Sequence, residues 1–337
     1  MGGYKVVYQY AKRMVEDNYD VHIYFLMLNH KYEIKTILKK IQGSLIKRKK
    51  YRKVDWFDLK GVKLHFDQSI EDVEKISHGK IIATHWSTAN IVYNSRCNDK
   101  EKFYFIQGYE LFDPQVTKKV LDDTWKLPLK KIVVSKWLMK KGIELGVLPA
   151  DLIYVPNFVD EREFPTNKNE NYKRNCVSFL WHTNPRKQAK MGLSVVMQLK
   201  NKFPQLNFVM FGENINISVP KDIKTIENAN LQQLNDIYRH SIVYFMPSRK
   251  EGWGLTGMEA MACGAAVVSI DNGGIWEYAD NDSAVIVDND KEQLEKAIIK
   301  LINNPSFRTK IVNSAYRNIS EFTFKKSYKR FLRGLGI

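Results

Sequence analysis

The chain has few cysteines: Cys97, Cys176 and Cys263 are the three among its 337 residues. Their odd number and wide separation exclude a disulfide framework, and none of them has the paired spacing of a zinc site. We therefore interpret them as reduced thiols in a reducing compartment.

The sequence also lacks a long apolar run. No stretch approaches the roughly 20 apolar residues that a membrane-spanning helix needs, and no basic segment followed by an apolar core opens the chain. We therefore expect neither a spanning helix nor a secretory signal, and we place the protein in the cytoplasm.

Acidic residues are outnumbered, since 37 Asp and Glu stand against 53 Lys and Arg, for a net charge of +16. This excess favours an acidic partner, such as nucleic acid, anionic lipid or a phosphorylated substrate. Six of the seven residues of Lys47–Lys53 are basic. The run is typical either of a solvated surface or of a peripheral segment on anionic lipid at the inner face of the plasma membrane. Nucleic acid is disfavoured, because zinc-finger spacing and RNP-type aromatic patterns are missing.

Strand-like and helix-like segments alternate through both halves of the chain, which a polar stretch at 165–175 separates. Such alternation predicts parallel sheets covered on both faces. Predicted strands are 19–26, 61–66, 80–86, 102–110, 131–138, 176–181, 207–212, 242–248, 265–270 and 284–288; predicted helices are 4–17, 31–54, 69–77, 191–203, 230–241, one from Leu255, and 291–304. The sequence therefore predicts an α/β protein of two similar domains with a cleft between them.

The stretch Ser248–Val268, "SRKEGWGLTGMEAMACGAAVV", combines two carboxylates, two glycines and a small-residue helix. It leaves a strand and enters a helix, and ligands of open α/β sheets sit at that end of the strands. Gly252 and Gly254 allow tight turning and close backbone approach. Glu251 is placed at the site, and Glu259 lies one turn into the helix. A surface loop with a capping carboxylate is the weaker interpretation.

This stretch resembles the E-x7-E segment of retaining GT-B glycosyltransferases of the GT4 type, E-G-F-G-L-x-x-x-E-A-M-A-C-G-x-P-V-V. Trp253 and Ala266 are mild departures from that pattern. The resemblance implies that Glu251 faces the donor sugar and that Glu259 binds the ribose. It also implies that Gly254, Leu255 and Thr256 contact the sugar or diphosphate.

Other segments resemble the same family. Gly2 and Gly3 are similar to its glycine loop, although the strand expected before that loop is absent. "NGGIWEY" at 272–278 resembles its N/T-G-G-x-x-E segment, and "ATHWSTAN" with "FYFIQGYELF" resembles a subgroup that includes rhamnosyltransferases. His85 matches the family's active-site histidine by position.

A basic pair that holds the diphosphate is expected in "HTNPRKQAKMG", at 182–192. The spacing of the family, G-R-x(4,5)-K-G, is not present there. We therefore choose Arg186 and Lys187, with Lys190 and His182 as alternatives.

The resemblance implies a fold of two Rossmann-like domains facing each other across a cleft. Residues 1–157 would form the acceptor domain, completed by a crossing helix at 321–335, and residues 158–320 the nucleotide-sugar donor domain. No cofactor or metal is expected, and no Asp-x-Asp metal motif is expected to serve the donor loops.

The implied function is sugar transfer with retention, from a nucleotide-diphosphate sugar to a glycan, lipid-linked or protein acceptor in cell-surface glycoconjugate synthesis. The alternative is a non-catalytic glycan- or nucleotide-binding partner of an active glycosyltransferase.

Overall fold

The computed structural model describes residues 2–26, 53–111, 113, 116–166 and 172–337. The chain divides into two compact units. The first comprises Met1–Ile106, Gln115–Ile132 and Leu145–Ile153; the second comprises Gln107–Pro114, Val133–Glu144 and Tyr154–Ile337. The predicted helix at 321–335 lies within the second unit, and the proposed assignment of domains stays a prediction.

The strands of the first unit form two sheets among its described residues. Its elements are α1 (Gly2–Glu16), β1 (His22–Leu26), β2 (Lys63–Gln68), α2 (Ile70–Glu74), β3 (Ile81–Ala83), α3 (Trp86–Asn94), β4 (Lys102–Ile106), α4 (Lys118–Lys126), β5 (Lys130–Val133) and β6 (Leu152–Tyr154), the last two ending in the second unit. β1 pairs with β2 in parallel, and a four-stranded sheet has the order β3-β4-β5-β6. Every residue of β4 is buried, as the apolar run predicts for a central strand.

The helix α5 (Lys136–Glu144) follows β5 and belongs to the second unit. The strand predicted over 131–138 is therefore wrong beyond Val133. The side-chain hydroxyl of Ser135 accepts the Leu138 N–H at 3.4 Å, which favours a helix start at the point where the apolar run continues. The helix predicted over 31–54 and the basic run from Lys47 lie outside the described residues, except for their last residues.

The second unit is built on a six-stranded parallel sheet. Its elements are β7 (Cys176–Trp181), α6 (Ala189–Lys202), β8 (Asn207–Gly212), β9 (Lys224–Glu227), α7 (Leu231–His240), β10 (Ser241–Met246), α8 (Leu255–Ala262), β11 (Ala266–Ile270), β12 (Val285–Val287), α9 (Lys291–Asn303), α10 (Pro305–Ile319) and α11 (Phe324–Leu335). The strand order is β12-β11-β10-β7-β8-β9, and each neighbouring pair is parallel.

Both faces of this sheet are covered. Along β10, Tyr244 and Met246 lie in one core cluster with residues of α8, whereas Val243 and Phe245 lie in another with residues of α6 and α9. Alternate residues of a strand point to opposite faces, so one apolar strand supplies both cores. The prediction of parallel strands covered on both sides is confirmed.

The order of the strands reverses between β7 and β10. From β7 the chain continues outward through β8 and β9, and from β10 it continues in the other direction through β11 and β12. Loops that follow two neighbouring strands at such a point flank a crevice at the carboxyl edge of the sheet. The loops after β7 and β10 are the two segments that the sequence singled out.

Candidate functional site

The loop after β10 carries Glu251 into a largely buried position, where the residue is 8% exposed. Its backbone N–H donates to the carbonyl of Asn272 at 3.0 Å, so the loops after β10 and β11 are joined. Asn272 is buried, and its side-chain oxygen accepts the Ile275 N–H at 2.9 Å. The turn after β11 therefore fixes the main chain beside Glu251.

Lys187 and Glu251 form an ion pair. Lys187 ends the 3₁₀ turn Pro185–Lys187 after β7, and its Nζ lies 2.6 Å from Glu251 Oε1. The two side chains are 18% and 10% exposed, so water screens this pair less than it would a surface pair. The structure thus brings together one predicted carboxylate and one predicted cation.

Arg186 is the second cation of the loop after β7. Its carbonyl accepts the Arg249 N–H at 2.8 Å, a second connection between the loops after β7 and β10. Burial lowers the pKa of the Arg186 guanidinium, and the charges of Glu251 and Glu110 oppose that shift. Arg186 therefore stays charged, and its positive charge interacts with the negative charge of Glu251.

The turn that presents both cations is stabilised by its own side chains. The Asn184 side chain accepts the Arg186 N–H at 3.1 Å, and the Asn184 N–H donates to His182 Nδ1 at 2.9 Å. Burial, followed by the charge of Lys187, lowers the pKa of His182. A neutral ring that accepts at Nδ1 fits both observations. Lys190 is exposed in the first turn of α6.

Helix α8 begins without a side-chain cap. Its N-cap is Gly254, with a φ of 93°, and no side chain accepts from the first turn there. The Gly254 carbonyl accepts the Tyr278 hydroxyl at 2.8 Å and the Gly257 N–H at 3.0 Å. By their position in the first turn, the N–H groups of Leu255 and Thr256 have no intrahelical acceptor. These two N–H groups can therefore bind an anion at the start of α8.

Gly252 allows a close approach between two main-chain segments. A Cβ at this position would lie 2.0 Å from the carbonyl oxygen of Gln107, which belongs to the same unit. The close approach predicted for Gly252 thus occurs against the protein itself. At Gly254 the positive φ alone favours glycine.

Glu259 lies one turn into α8 and is half-buried. Its Oε2 accepts the hydroxyl of Tyr238 at 3.3 Å. Burial raises the pKa of Tyr238, and the charge of Glu259 adds to the shift, so the phenol stays a donor. The carboxylate is thereby held in a defined position.

His85, Gly2 and Gly3 belong to the first unit. His85 is the N-cap of α3, and its Nδ1 lies 2.8 Å from the Ser87 hydroxyl. Gly2 and Gly3 are exposed and lie within the first turn of α1, so the glycine loop predicted for them is helical in the structure.

Three residues that support the site were given no role from the sequence. Trp137 donates to the Gly252 carbonyl and to the Glu277 carboxylate, and Tyr278 donates to the Gly254 carbonyl. Glu277 and Tyr278 lie in the quoted "NGGIWEY" segment, which was the available signal. Trp137 lies 115 residues from its partner Gly252, and sequence spacing carries no such information.

Two Asp-x-Asp triplets occur in the second unit, at 280–282 and 288–290. Asp280 accepts from Ser283 and Asn318, and Asp290 caps α9, so both triplets serve turns and helix starts. Within the described ranges, no group of three or more His, Cys, Asp or Glu residues could hold a metal ion. The absence of a metal requirement stays a prediction.

Part of the chain is similar to a family of known proteins. Residues 160–318 match the family model described as glycosyl transferases group 1. The matched segment includes Ser248–Val268, and the resemblance predicted from that stretch is confirmed.

Among relatives, the chain is 37% identical over 84 residues to a lipopolysaccharide core biosynthesis mannosyltransferase of Rhizobium leguminosarum bv. viciae, covering 24% of each chain. It is 28% identical over 210 residues to a human phosphatidylinositol N-acetylglucosaminyltransferase subunit, covering 54% of this chain and 42% of that protein. The matches thus span a quarter to less than half of these relatives.

The solved structures include Anabaena HepE in complex with UDP and glucose. It has a TM-score of 0.73 and 13% identity, and the match covers 100% of this chain and 96% of that chain. At this identity the likeness shows the fold, which is the predicted GT-B fold. No helix in the described residues is both long and apolar enough to cross a membrane.

Proposed function

We propose that the protein is a retaining glycosyltransferase that moves a sugar from a nucleotide-diphosphate sugar to a glycan, lipid-linked or protein acceptor. The observation that carries the proposal is the Lys187–Glu251 pair at the carboxyl edge of β7 and β10, beside the uncapped start of α8. Cations and helix N-terminal amides bind the oxygens of a diphosphate, and a carboxylate accepts hydrogen bonds from sugar hydroxyls.

The proposed chemistry follows from where charge grows during the reaction. As the anomeric C–O bond breaks, its electron pair stays on the diphosphate and positive charge develops on the sugar ring. Lys187 and Arg186 stabilise the diphosphate together with the Leu255 and Thr256 amides. The acceptor hydroxyl forms the new bond to the anomeric carbon and loses its proton to the departing phosphate oxygen. Retention by front-face attack rests on the family resemblance.

In this proposal each of the remaining site residues contacts a different part of the substrate. Glu251 orients the donor sugar, and Glu259, fixed by Tyr238, accepts from the ribose hydroxyls. His85 serves the reacting sugar, and Gly2 and Gly3 contribute main-chain groups to the same substrates. In this proposal the second unit binds the donor and the first unit binds the acceptor, and no cofactor or metal takes part.

Relatives and similar structures suggest which donor to test first. HepE has been solved with UDP-glucose, and the named relatives are a mannosyl- and an N-acetylglucosaminyltransferase. We therefore propose a UDP-sugar as the first donor and cell-surface glycoconjugate synthesis as the setting. The rhamnosyltransferase-like subgroup is the finer hypothesis, since it depends on two short segments.

The test is a donor panel with a released-product readout. Wild type, Glu251→Ala and His85→Ala are incubated with UDP-, GDP- and dTDP-sugars, and free nucleoside diphosphate is measured. We expect one donor to be consumed by wild type and much more slowly by both variants. Binding of nucleotide with thermal stabilisation but no product would instead support the non-catalytic partner. Variants that match wild type would remove these residues from the mechanism.

Peripheral association with the cytoplasmic face of the membrane is a further part of the proposal. It rests on the composition of Lys47–Lys53, which lies outside the described residues except for Lys53. Flotation with vesicles containing anionic lipid tests it, because neutralising these lysines and arginines should abolish flotation. A neutralised variant that floats as wild type does would remove the membrane proposal. No nucleic-acid partner is proposed.

A further inference from the structure

Trp137, in the first turn of α5, contacts both loops that flank Glu251. Its indole Nε1–H donates to the Gly252 carbonyl at 3.0 Å, and its backbone N–H donates to Glu277 Oε1 at 3.2 Å. All three residues belong to the second unit. One tryptophan thus joins the loop after β10 to the turn after β11.

Glu277 is itself held on both oxygens. Its Oε2 accepts the Tyr154 hydroxyl at 3.3 Å, while Oε1 accepts from Trp137. Burial raises the pKa of Tyr154, and the charge of Glu277 raises it further, so Tyr154 stays protonated and donates. Both carboxylate oxygens are engaged by the protein, and this points to a role in fixing Trp137 in place.

A glycine in the same turn as Glu277 brings that turn against the loop after β10. A Cβ on Gly274 would lie 2.7 Å from the Trp253 carbonyl oxygen. Trp253 is 2% exposed, and its ring stacks on Tyr278 with centroids 5.7 Å apart. The two loops therefore pack as one body, with Trp137 hydrogen-bonded to both.

These contacts set the direction of two peptide groups. In a planar trans peptide the carbonyl and the next N–H point in opposite directions. When Trp137 binds the Gly252 carbonyl, the Trp253 N–H is turned away from Trp137. When Tyr278 binds the Gly254 carbonyl, the Leu255 N–H is turned away from Tyr278. The side chains of Trp137 and Tyr278 thus bind the two carbonyl oxygens. The N–H groups of the same two peptides point the opposite way, and they are left for groups on that opposite side.

We propose that Trp137, seated by Glu277, is a positioning residue that orients the peptide groups of Glu251–Leu255 for the donor diphosphate. This inference rests on the proposed function, since the reaction gives the orientation its use. Trp137 acts through the loop and does not itself touch the substrate.

The chain offers a matched control. Trp276 is the neighbour of Glu277, and its indole N–H donates to Asp271 at 2.9 Å rather than to the loop after β10. Trp137→Phe and Trp276→Phe therefore each remove one indole hydrogen bond, but only the first removes one to the donor loop. Glu277→Ala removes the acceptor of the Trp137 N–H, and Glu277→Gln keeps an oxygen that can accept it.

The first measurement is hydrogen exchange of the peptide that covers residues 251–257, which needs no substrate. We expect faster exchange in Trp137→Phe and Glu277→Ala, near-normal exchange in Glu277→Gln, and no change in Trp276→Phe. Unchanged exchange in Trp137→Phe, or equal acceleration in Trp276→Phe, would overturn the inference whatever the donor proves to be.

The second measurement is kcat against UDP affinity, with UDP-glucose and UDP-N-acetylglucosamine as donors. Loss of one oriented hydrogen bond should lower kcat of Trp137→Phe about fivefold, with the Kd for UDP within about twofold of wild type. A raised Kd with normal kcat would make Trp137 a direct ligand contact and would overturn the positioning role. If wild type releases no nucleoside diphosphate from any donor, the proposed function fails, while the exchange result still decides the loop.

Discussion

The helices of the second unit start in two different ways. Helices α7 and α9 begin with their own caps: the Asn230 side chain accepts the Gln233 N–H at 2.9 Å, and the Asp290 side chain accepts from Gln293 at 2.7 Å. Helices α6 and α8, which follow the two central strands, begin at Gln188 and Gly254 without any side-chain cap. Both of these N-caps have a positive φ, 46° and 93°.

This difference indicates where the protein leaves groups for a ligand. A helix start has four N–H groups without intrahelical partners, and a side-chain cap satisfies one of them at the expense of anion binding there. At the outer helices the sequence supplies the cap. At α6 and α8, which follow the central strands, the sequence has no cap and instead supplies Arg186 and Lys187. These cations attract the same anion as the N–H groups of the uncapped first turns. Four experiments test whether the two kinds of helix start differ in this way.

The largest effect is expected on donor turnover, when Lys187, the cation paired with Glu251, is removed. Lys187→Ala should lower donor turnover about 100-fold or more, because Lys187 is proposed to stabilise the leaving diphosphate. Lys202, the last residue of α6, forms a more exposed pair with Glu295, at 2.7 Å. Lys202→Ala is the matched control and should stay within about twofold of wild type. Equal losses in the two variants would contradict a special role for Lys187.

Gly252→Ala should show the next effect, on stability. The added Cβ would lie 2.0 Å from the Gln107 carbonyl oxygen, so the loop must move, at a cost of about 2 kcal/mol. Gly108, next to Gln107, has no atom within 4 Å of the position that an added methyl carbon would take and no positive φ, so Gly108→Ala is the control. Urea unfolding of both variants measures the difference. A Gly252→Ala protein as stable as the control would show that the approach is not a constraint.

Removing an outer cap should have a smaller effect, confined to stability. Asn230→Ala is expected to cost about 1 kcal/mol of unfolding free energy and to leave nucleotide binding unchanged. Gln188→Ala, at the uncapped start of α6, should change the unfolding free energy by less than about 0.5 kcal/mol without ligand, since no cap is lost. If Gln188→Ala proves as costly as Asn230→Ala, the two kinds of helix start do not differ.

The smallest effect concerns His182. Its pKa is lowered in the folded protein by burial and by Lys187, so the unfolded chain binds the proton first as the pH falls. Stability should therefore decrease as the pH drops below about 6.5, the usual histidine pKa, towards the lowered value. His182→Asn keeps an acceptor for the Asn184 N–H and should flatten this dependence. Urea melts at pH 7.5 and 5.5 test it, and identical slopes in both proteins would argue against the shift.

The fold of the second unit was predictable because its strands are continuous apolar runs. The predicted segments 176–181 and 207–212 coincide with β7 and β8, and the helix expected from Leu255 begins there. Glu251 was chosen from the sequence because it follows a strand, and Lys187 because the family resemblance places a basic pair at 182–192. Their 2.6 Å contact depends on β7 and β10 being neighbours, which the order of segments along the chain does not reveal.

The segments that were predicted wrongly or missed have different physical causes. The segment "KIVVSKWL" was predicted to be one strand, because its apolar run does not show that Ser135 starts a helix. Trp137 was consequently placed in a sheet and its contact with Gly252 could not be foreseen. β9 was missed because it is mostly exposed and carries little of the apolar signal. The helix α10 was also not predicted.

The most direct test of the account compares nucleoside diphosphates with nucleosides by calorimetric titration, using UDP and uridine, GDP and guanosine, and dTDP and thymidine. We predict that at least one diphosphate binds wild type about 100-fold more tightly than its nucleoside, and that Lys187→Ala removes at least about tenfold of this preference. If no diphosphate binds more tightly than its nucleoside, the central helix starts and their cations do not form a diphosphate site.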